Sequence, residues 1–244
     1  MNAPAPRLRV FAGPNGSGKS TIKEVIPPEW LGVYVNPDEI EKTVRRTGRL
    51  DLREFETGAD AETLKHFLRE HPLLRRAGPD TDADRLEVRE DTIGFGGVAV
   101  NSYHASVLAD FIRHRLMEAG RSFTFETVMS SRDKVEFLRK AKAAGYRTYL
   151  YFIATEDPQI NVSRVKFRAR NGGHAVPEDK IRERYGKSLA LLNDALKHTD
   201  RAYLFDNSGE AKVWLAEITD GDRMEFKTDA VPAWLKTALP DFFA

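Results

Sequence analysis

A glycine-rich stretch near the amino terminus has the residue types of a phosphate-binding loop. Residues 13–20 fit the pattern G-x-x-x-x-G-K-S at every fixed position. Glycines allow successive backbone N–H groups to surround phosphate oxygens, and a helix that begins there adds its positive dipole end. The pattern predicts that Lys19 contacts the β- and γ-phosphates of a nucleoside triphosphate and that the Ser20 hydroxyl ligates Mg²⁺. The predicted nucleotide-binding residues of the loop are Gly13, Pro14, Asn15, Gly16, Ser17, Gly18, Lys19, Ser20 and Thr21.

Asp38 is the candidate base for phosphoryl transfer. It lies 19 residues after Lys19, just past an expected strand at residues 33–35. Ligands of parallel-sheet folds bind at the carboxyl ends of strands, so we expect Asp38 to open onto the same crevice as the phosphate loop. A carboxylate there can accept the proton of an attacking hydroxyl. The other interpretation, a helix-capping role within Asn36-Pro37-Asp38, is compatible with this one.

Glu126 ends a short apolar strand and is expected to face the same end of the sheet. It could hydrogen-bond the hydroxyls of the acceptor, with Thr127 beside it, or hold Mg²⁺ through water. The competing interpretation is a carboxylate that caps the next helix. A later strand ends in Asp206, to which we assign a structural role in turning the chain together with Asn207 and Ser208.

A basic segment follows the longest apolar strand. Residues 160–190 carry eight Lys or Arg and three Asp or Glu in a chain of net charge +1. Arg164 and Arg168 fall on one face of the expected helix, and guanidinium groups suit the charge that develops on γ-phosphate oxygens. We interpret residues 157–177 as a lid with its hinge at Gly172-Gly173-His174. An exposed basic helix face is the alternative.

The composition is that of a globular chain and excludes several classes of function. The 244 residues are 41% hydrophobic and 31% charged, which fits a single domain over residues 1–244. The balance of 38 basic and 37 acidic residues argues against coating of nucleic acid or of an anionic membrane. Without cysteine, thiol nucleophiles, disulfides and zinc-thiolate sites are excluded, and the histidines lack the spacing of zinc ligands. We find no apolar membrane span or secretory leader and expect a cytoplasmic protein.

Alternating strands and helices are expected to position these residues. A strand that leads into a glycine loop, followed by strand–helix alternation, predicts a three-layer α/β P-loop kinase fold with a mostly parallel sheet. Residues 48–102 are predicted to be an insertion of helices and loops, and a hairpin is predicted at about 212–227. The expected strands cover 8–12, 33–35, 122–126, 146–154 and 202–206, and the expected helices begin near residues 19, 36, 103, 132, 157 and 177.

These stretches together resemble the zeta toxin family of phosphate-loop kinases, and above all its single-domain branch, known as predicted ABC-type ATPases. Their order and spacing cover most of the chain from residue 8 to 208. The resemblance is carried by residues 13–21, Asn36-Pro37-Asp38-Glu39-Ile40, Phe125-Glu126-Thr127, Arg164-Val165, Gly172-Gly173-His174-Ala175-Val176-Pro177-Glu178, Arg184-Tyr185 and Asp206-Asn207-Ser208.

The resemblance implies a toxin-like kinase that uses ATP or GTP and Mg²⁺. Its acceptor would be the 3′-hydroxyl of the amino sugar of UDP-N-acetylglucosamine, and a small helical antitoxin would block its nucleotide site. A second lid arginine of the family aligns poorly, because Gly172-Gly173-His174 occupies its place, so either His174 or Arg170 would act there. The catalytic base of the family matches Asp38, and its phosphate-binding lysine matches Lys19. Its substrate-contacting residues match Glu126 with Thr127, and its first lid arginine matches Arg164.

Two other functions stay open at this point. One is a phosphate-loop kinase that acts on another nucleotide, a nucleoside or a hydroxyl at a nucleic-acid end. The other is a nucleotide-dependent switch ATPase, which would hydrolyse nucleotide with a partner and phosphorylate no small molecule. The chain has no second ATPase signature such as Leu-Ser-Gly-Gly-Gln, which favours the kinase.

Overall fold

The structure is a computed structural model that describes residues 4–58, 60–75, 85–173 and 175–243. Its strands are β1 (Arg7–Ala12), β2 (Val33–Val35), β3 (Arg49–Asp51), β4 (Glu87–Arg89), β5 (Thr92–Gly94), β6 (Phe123–Thr127), β7 (Arg147–Ala154), β8 (Arg201–Asp206), β9 (Val213–Thr219) and β10 (Arg223–Phe226). Its α-helices are α1 (Pro28–Leu31), α2 (Pro37–Thr47), α3 (Ala61–Glu70), α4 (Pro72–Arg75), α5 (Ser102–Glu118), α6 (Arg132–Ala143), α7 (Pro158–Arg170), α8 (Glu178–Ala190), α9 (Leu192–Leu196) and α10 (Ala233–Ala238). Short 3₁₀ helices cover Lys19–Val25, Leu52–Phe55 and Pro240–Phe242.

The chain divides into two compact units. The first combines Met1–Trp30 with Glu126–Ala244, and the second is Leu31–Phe125. The last two residues of β6 therefore belong to the first unit. Among the helices of the described ranges, none has the length and apolar character that a membrane crossing requires.

The first unit is built on a mixed sheet with the order β10-β9-β8-β7-β1. β1, β7 and β8 run parallel, and β9 and β10 add antiparallel strands at the edge. The register places Val10 beside Leu150 and Leu150 beside Ala202, and all three side chains are buried. The near-continuous apolar run of β7 is typical of a parallel strand covered on both faces. The predicted α/β fold with a mostly parallel sheet is confirmed.

The helices that follow β7 begin and end near the predicted residues. Asp157 caps α7 by accepting a hydrogen bond from the Gln159 N–H, and Pro158 occupies the first helical position. The apolar spacing from Ile181 to Leu196 predicts one helix after Pro177, and this prediction is wrong, because α8 is interrupted at Leu191 and the chain continues as α9. The apolar spacing continues across the interruption, so periodicity could not reveal it.

The predicted carboxy-terminal hairpin is present as β9 and β10. It turns at Asp220 and Gly221, which both have positive φ angles, of 55° and 84°. A two-residue hairpin turn with positive φ at both positions favours the sequence Asp-Gly. The local sequence therefore determines this turn.

The second unit contains the parallel pair of β2 with residues 123–125 of β6. Asn36 caps α2 by accepting hydrogen bonds from the N–H groups of Asp38 and Glu39, and Pro37 follows it, as the sequence predicts. α5 buries the apolar face that its spacing predicts. The buried residues of that face are Val107, Leu108, Phe111, Ile112 and Leu116.

The insertion at 48–102 was predicted to contain only helices and loops, and that prediction is wrong. It holds an antiparallel three-stranded sheet with the order β3-β5-β4. Each of these strands has three residues, which is too short for an alternating pattern to be recognised in the sequence. The spacing of Leu64, Phe67 and Leu68 predicts an amphipathic helix, which is present as α3 with Leu64 and Leu68 buried.

Candidate active site

The phosphate loop connects β1 to the 3₁₀ helix at Lys19–Val25 and lies in the first unit. Gly13 and Gly18 have φ angles of 141° and 96°, which L side chains rarely adopt. A Cβ atom at Gly13 would lie 2.0 Å from the carbonyl oxygen of Ile153, and one at Gly18 would lie 2.3 Å from Nδ2 of Asn207. The loop therefore requires glycine at both positions, for its backbone conformation and for its packing.

The side chain of Lys19 folds back onto the loop that precedes it. Its Nζ donates hydrogen bonds to the carbonyl oxygens of Gly13, at 2.9 Å, and Pro14, at 3.0 Å. The ammonium group is thus held at the turn where the sequence predicts phosphate. The helix expected after the loop is a 3₁₀ helix of seven residues.

Ser20 and Glu126 meet at the end of the loop. The Ser20 Oγ donates to Oε2 of Glu126 at 3.2 Å, and Glu126 is buried at the carboxyl end of β6. α6 has Ser131 at its N-cap position, so Glu126 does not cap that helix. Thr127 accepts a hydrogen bond from the Met129 N–H at 3.0 Å and so helps to turn the chain after β6. The structure brings the loop hydroxyl and this carboxylate together.

A second lysine contacts the residues after the loop. Lys212 Nζ donates to the carbonyl oxygen of Thr21 at 3.1 Å, and the Thr21 hydroxyl donates to the carbonyl oxygen of Gly18 at 2.8 Å. Burial lowers the pKa of Lys212, because its ammonium group loses hydration, while the charge of Glu24 acts in the opposite direction. Lys212 lies outside the motifs from which the site residues were predicted.

Arg164 connects α7 to the turn after β8. Its guanidinium donates to the carbonyl oxygens of Asn207, at 2.7 Å, and Gly209, at 3.4 Å. Arg168 and Arg170 are exposed on the same helix, and His174 lies outside the described residues. Of the predicted lid residues, the structure therefore places Arg164 beside a turn that itself contacts the phosphate loop.

Two asparagines that sequence reasoning did not assign to the site contact the loop backbone. Asn161 Nδ2 donates to the carbonyl oxygen of Asn15 at 2.6 Å, and Asn207 Nδ2 donates to that of Ser17 at 2.8 Å. Asn207 was predicted only to turn the chain after β8. The one sequence signal for Asn161 is its position, one helical turn before Arg164.

Asp206 has the structural role that the sequence predicts. Its carboxylate accepts hydrogen bonds from the Ser208 N–H, at 2.9 Å, and from the Ser208 hydroxyl, at 3.0 Å. It also accepts one from the indole N–H of Trp234 in α10, at 2.8 Å. This network fixes the turn that carries Asn207.

Asp38 lies in the second unit, in the first turn of α2, with an exposed side chain. Its backbone N–H donates to Oδ1 of Asn36 at 2.8 Å. The cap of this helix is therefore Asn36, and the carboxylate of Asp38 does not cap it. Its role as a base stays a prediction.

The second unit also contains a cleft of about 570 Å³. Its charged groups pair at the surface, where Arg121 contacts Glu56 and Arg53 contacts Asp51, at 2.7 Å. The hydrogen bond from Arg53 lowers the pKa of Asp51. None of the site residues predicted from the sequence lines this cleft, whose lining consists of Leu52, Arg53, Glu56, Thr57, Gly58, Asp91 and Arg121.

The chain is 32% identical over 63 residues to an uncharacterized protein of Haemophilus influenzae, over 26% of this chain and 45% of that protein. The crystal structure of AvrRxo1-ORF1:-ORF2 with ATP aligns with a TM-score of 0.54 and 15% identity, over 91% of this chain and 60% of the other. A structure from work on the PezAT chromosomal toxin-antitoxin system of Streptococcus pneumoniae aligns with a TM-score of 0.48 and 13% identity, over 100% and 88% of the two chains.

The chain thus spans about half of the curated relative and 60% of the AvrRxo1-ORF1:-ORF2 chain. At 15% identity, the match to that complex shows a shared fold. The family model of zeta toxin matches residues 98–219, half of the 244 residues. The matched segment contains Glu126, Arg164 and Asn207, whereas the phosphate loop and Asp38 precede it. The chain belongs to the zeta toxin family.

Proposed function

We propose that the chain is a kinase that transfers the γ-phosphoryl group of ATP or GTP to a hydroxyl of a small molecule. The observation that carries the proposal is the contact of 3.2 Å between the Ser20 hydroxyl and the Glu126 carboxylate, directly beyond the phosphate loop. Phosphoryl transfer depends on a backbone cradle, a lysine on the phosphates and oxygen ligands for Mg²⁺, all held in position. Membership of the zeta toxin family supports the same chemistry.

Ser20 and Glu126 fit Mg²⁺, which prefers oxygen ligands and is usually held by one or two side chains together with phosphates. In this proposal the Ser20 hydroxyl would be a direct ligand and Glu126 would hold the ion directly or through water. When bound, Mg²⁺ would neutralise negative charge on the phosphate oxygens. The alternative role of Glu126 is to hydrogen-bond the acceptor together with Thr127, whose hydroxyl can still donate.

Lys19 and the arginines of α7 are the proposed contacts of the transferred group. The Lys19 ammonium exchanges its hydrogen bonds with two loop carbonyls for hydrogen bonds with the β- and γ-phosphates. Arg164 stabilises the charge that develops on the γ-phosphate oxygens, with Arg168, and with Arg170 or His174 as the second lid group. Asp38 accepts the proton of the acceptor hydroxyl as the hydroxyl oxygen bonds to the γ-phosphorus, and the bond from that phosphorus to the β–γ bridging oxygen breaks to release ADP or GDP.

The proposed acceptor is the 3′-hydroxyl of the amino sugar of UDP-N-acetylglucosamine, and the proposed setting is a toxin–antitoxin system in the cytoplasm. The resemblance of the site residues to those of the zeta toxin family supports both. The likeness in fold to a chain of the AvrRxo1-ORF1:-ORF2 complex, which was crystallised with ATP, is compatible with a protein partner. A small helical antitoxin that covers the nucleotide site is that partner in the proposal.

The test is a transfer assay with purified protein, MgATP or MgGTP, and a panel of acceptors. The panel holds UDP-N-acetylglucosamine, nucleosides, a dinucleotide and an oligonucleotide with a free 5′-hydroxyl, and mass spectrometry identifies the product. We expect UDP-N-acetylglucosamine to gain one phosphoryl group. Phosphorylation of another acceptor would contradict the acceptor and retain the kinase, and nucleotide hydrolysis with no phosphorylated acceptor would favour the switch ATPase.

The matched variant for this assay is Asp38→Asn. The carboxamide keeps the size of the side chain and removes the proton acceptor, so we expect nucleotide binding to persist while transfer falls by about 10²- to 10⁴-fold. Full transfer by this variant would remove Asp38 from the proposed mechanism.

A further inference from the structure

The carbonyl oxygens of the phosphate loop are held by side chains from other parts of the first unit. Those of Asn15 and Ser17 accept hydrogen bonds from the carboxamides of Asn161, in α7, and Asn207, in the turn after β8. A trans peptide is planar, so a C=O group that points one way directs the N–H of the next residue the opposite way. Fixing these two oxygens therefore fixes the directions of the N–H groups of Gly16 and Gly18.

Asn161 is itself held in one orientation. Its side chain is fully buried, and its Oδ1 accepts a hydrogen bond from the Thr155 hydroxyl. This leaves Nδ2 directed at the carbonyl oxygen of Asn15. The backbone of α7 also contacts the loop at this point, because a Cβ atom on Gly16 would lie 2.7 Å from the carbonyl oxygen of Asn161.

Asn207 is held through its two neighbours in sequence. Asp206 accepts the indole N–H of Trp234 at 2.8 Å, and the Ser208 hydroxyl accepts the N–H of Glu156 at 2.7 Å. Trp234 is 4% exposed and packs with its ring 6.1 Å from that of Phe152. The carboxy-terminal helix α10 is thereby connected to the phosphate loop through Asp206 and Asn207.

We infer that Asn161 and Asn207 are positioning residues that hold the phosphate loop with the N–H groups of Gly16 and Gly18 directed at the phosphates. The inference rests on the proposed function to the extent that the loop binds a nucleoside triphosphate. Glycine-rich backbone has many accessible conformations, and ordering it on binding would reduce affinity. The two carboxamides supply that order before the ligand arrives.

The first test follows the loop in the protein without ligand. Hydrogen–deuterium exchange of peptides covering residues 13–18 is compared for the wild type, Asn161→Ala, Asn207→Ala and the control Asn193→Ala. Asn193 is also a carboxamide with one hydrogen bond, to Asp241 at 3.3 Å, in α9. We expect faster exchange in the loop for the first two variants alone. Unchanged exchange in both would overturn the inference, whether or not the protein binds nucleotide.

The second test measures affinity for MgATP and for inorganic tripolyphosphate by calorimetry, well below the unfolding temperature of each variant. Loss of the one hydrogen bond to the loop that each side chain donates predicts about three- to tenfold weaker binding for Asn161→Ala and Asn207→Ala, with the control unchanged. Wild-type affinity in both variants would overturn the inference while leaving the proposed function intact. Absence of binding by the wild type would contradict the proposed function, and loop exchange would then decide the inference.

Two further variants separate positioning from folding. Asn207→Leu keeps a branched but larger side chain without a donor and is expected to bind at least as weakly as Asn207→Ala. Trp234→Phe keeps an aromatic ring but removes the N–H that Asp206 accepts, so a smaller loss of affinity in the same direction is expected. Wild-type affinity in Asn207→Leu would contradict the role of the Asn207 donor.

Discussion

The phosphate loop of the first unit and the cleft of the second both combine charged side chains with a backbone turn, but they are held in different ways. The loop is fixed by hydrogen bonds from residues far away in sequence, and Asn161, which provides one of them, is fully buried. Buried polar groups with satisfied hydrogen bonds favour one geometry, because any other leaves them unpaired.

The cleft of the second unit is flanked by ion pairs at the surface. The side chains of Arg53 and Arg121 are 66% and 52% exposed, and each pairs with an acidic residue, Asp51 and Glu56 respectively. Exposed pairs of this kind contribute about 0–1 kcal/mol each. The difference teaches that the loop is held in one arrangement by buried contacts, and it predicts that charged residues of the cleft can be substituted at little cost in stability.

The largest expected effect is that of Lys19→Ala. In the proposed mechanism the Lys19 ammonium group contacts the β- and γ-phosphates, so its removal should lower kcat for phosphoryl transfer by roughly 10²- to 10³-fold. The measurement is the rate of product formation by mass spectrometry. Lys140→Ala, at an exposed position in α6, is the control and should keep the wild-type rate. A Lys19→Ala enzyme of normal rate would contradict the site.

The second test is a matched pair of glycine substitutions, Gly13→Ala in the loop and Gly58→Ala at the cleft. Both residues have positive φ, which costs an alanine about 1–2 kcal/mol. A Cβ atom at Gly58 has nothing within 4 Å, whereas one at Gly13 would lie 2.0 Å from the carbonyl oxygen of Ile153, which adds about 1–3 kcal/mol of overpacking. Chemical denaturation should show the larger loss of stability for Gly13→Ala. Equal losses for the two variants would contradict the claim that the loop is packed more tightly than the cleft.

Glu126→Gln tests whether the Glu126 carboxylate holds Mg²⁺ or binds the acceptor. Glutamine can still accept the Ser20 hydrogen bond but has no charge, so the Mg²⁺ concentration for half-maximal rate should rise by about tenfold. Metal titration of the transfer rate checks this, with Glu136→Gln in α6 as control. A raised KM for the acceptor with unchanged Mg²⁺ dependence would instead assign Glu126 to acceptor binding.

The smallest expected effect is that of Arg121→Ala in the cleft. Its pair with Glu56 is exposed on both sides, so the free energy of unfolding should change by less than about 1 kcal/mol and affinity for MgATP should not change. Denaturation and calorimetry measure the two quantities. A loss of nucleotide affinity comparable to that of Asn207→Ala would show that the cleft contributes to the site.

Much of the fold could be predicted, because its signals are local. The turn at Asp220-Gly221, the cap at Asn36 and the buried face of α5 each depend on residues close together in sequence. The strands β3, β4 and β5 could not be predicted, since three residues show no alternation, and neither could the interruption between α8 and α9 at Leu191.

The candidate site also contains residues that a local sequence signal marks and residues that none marks. The loop and Glu126 could be identified from a motif and from the end of a strand. Asn161 and Asn207 could not be assigned to the loop, because their partners lie 146 and 190 residues away in sequence and no local pattern marks them. An asparagine after a strand most often turns the chain, and that general preference concealed the contact of Asn207.

The burial of Trp234 has an optical consequence. The chain has three tryptophans, and Trp30 and Trp214 are 52% and 41% exposed, whereas Trp234 is 4% exposed. An indole shielded from water emits at shorter wavelength than exposed ones, and here its N–H is bonded to Asp206, next to Asn207. The blue edge of the intrinsic fluorescence therefore reports on the carboxy-terminal helix without any attached dye.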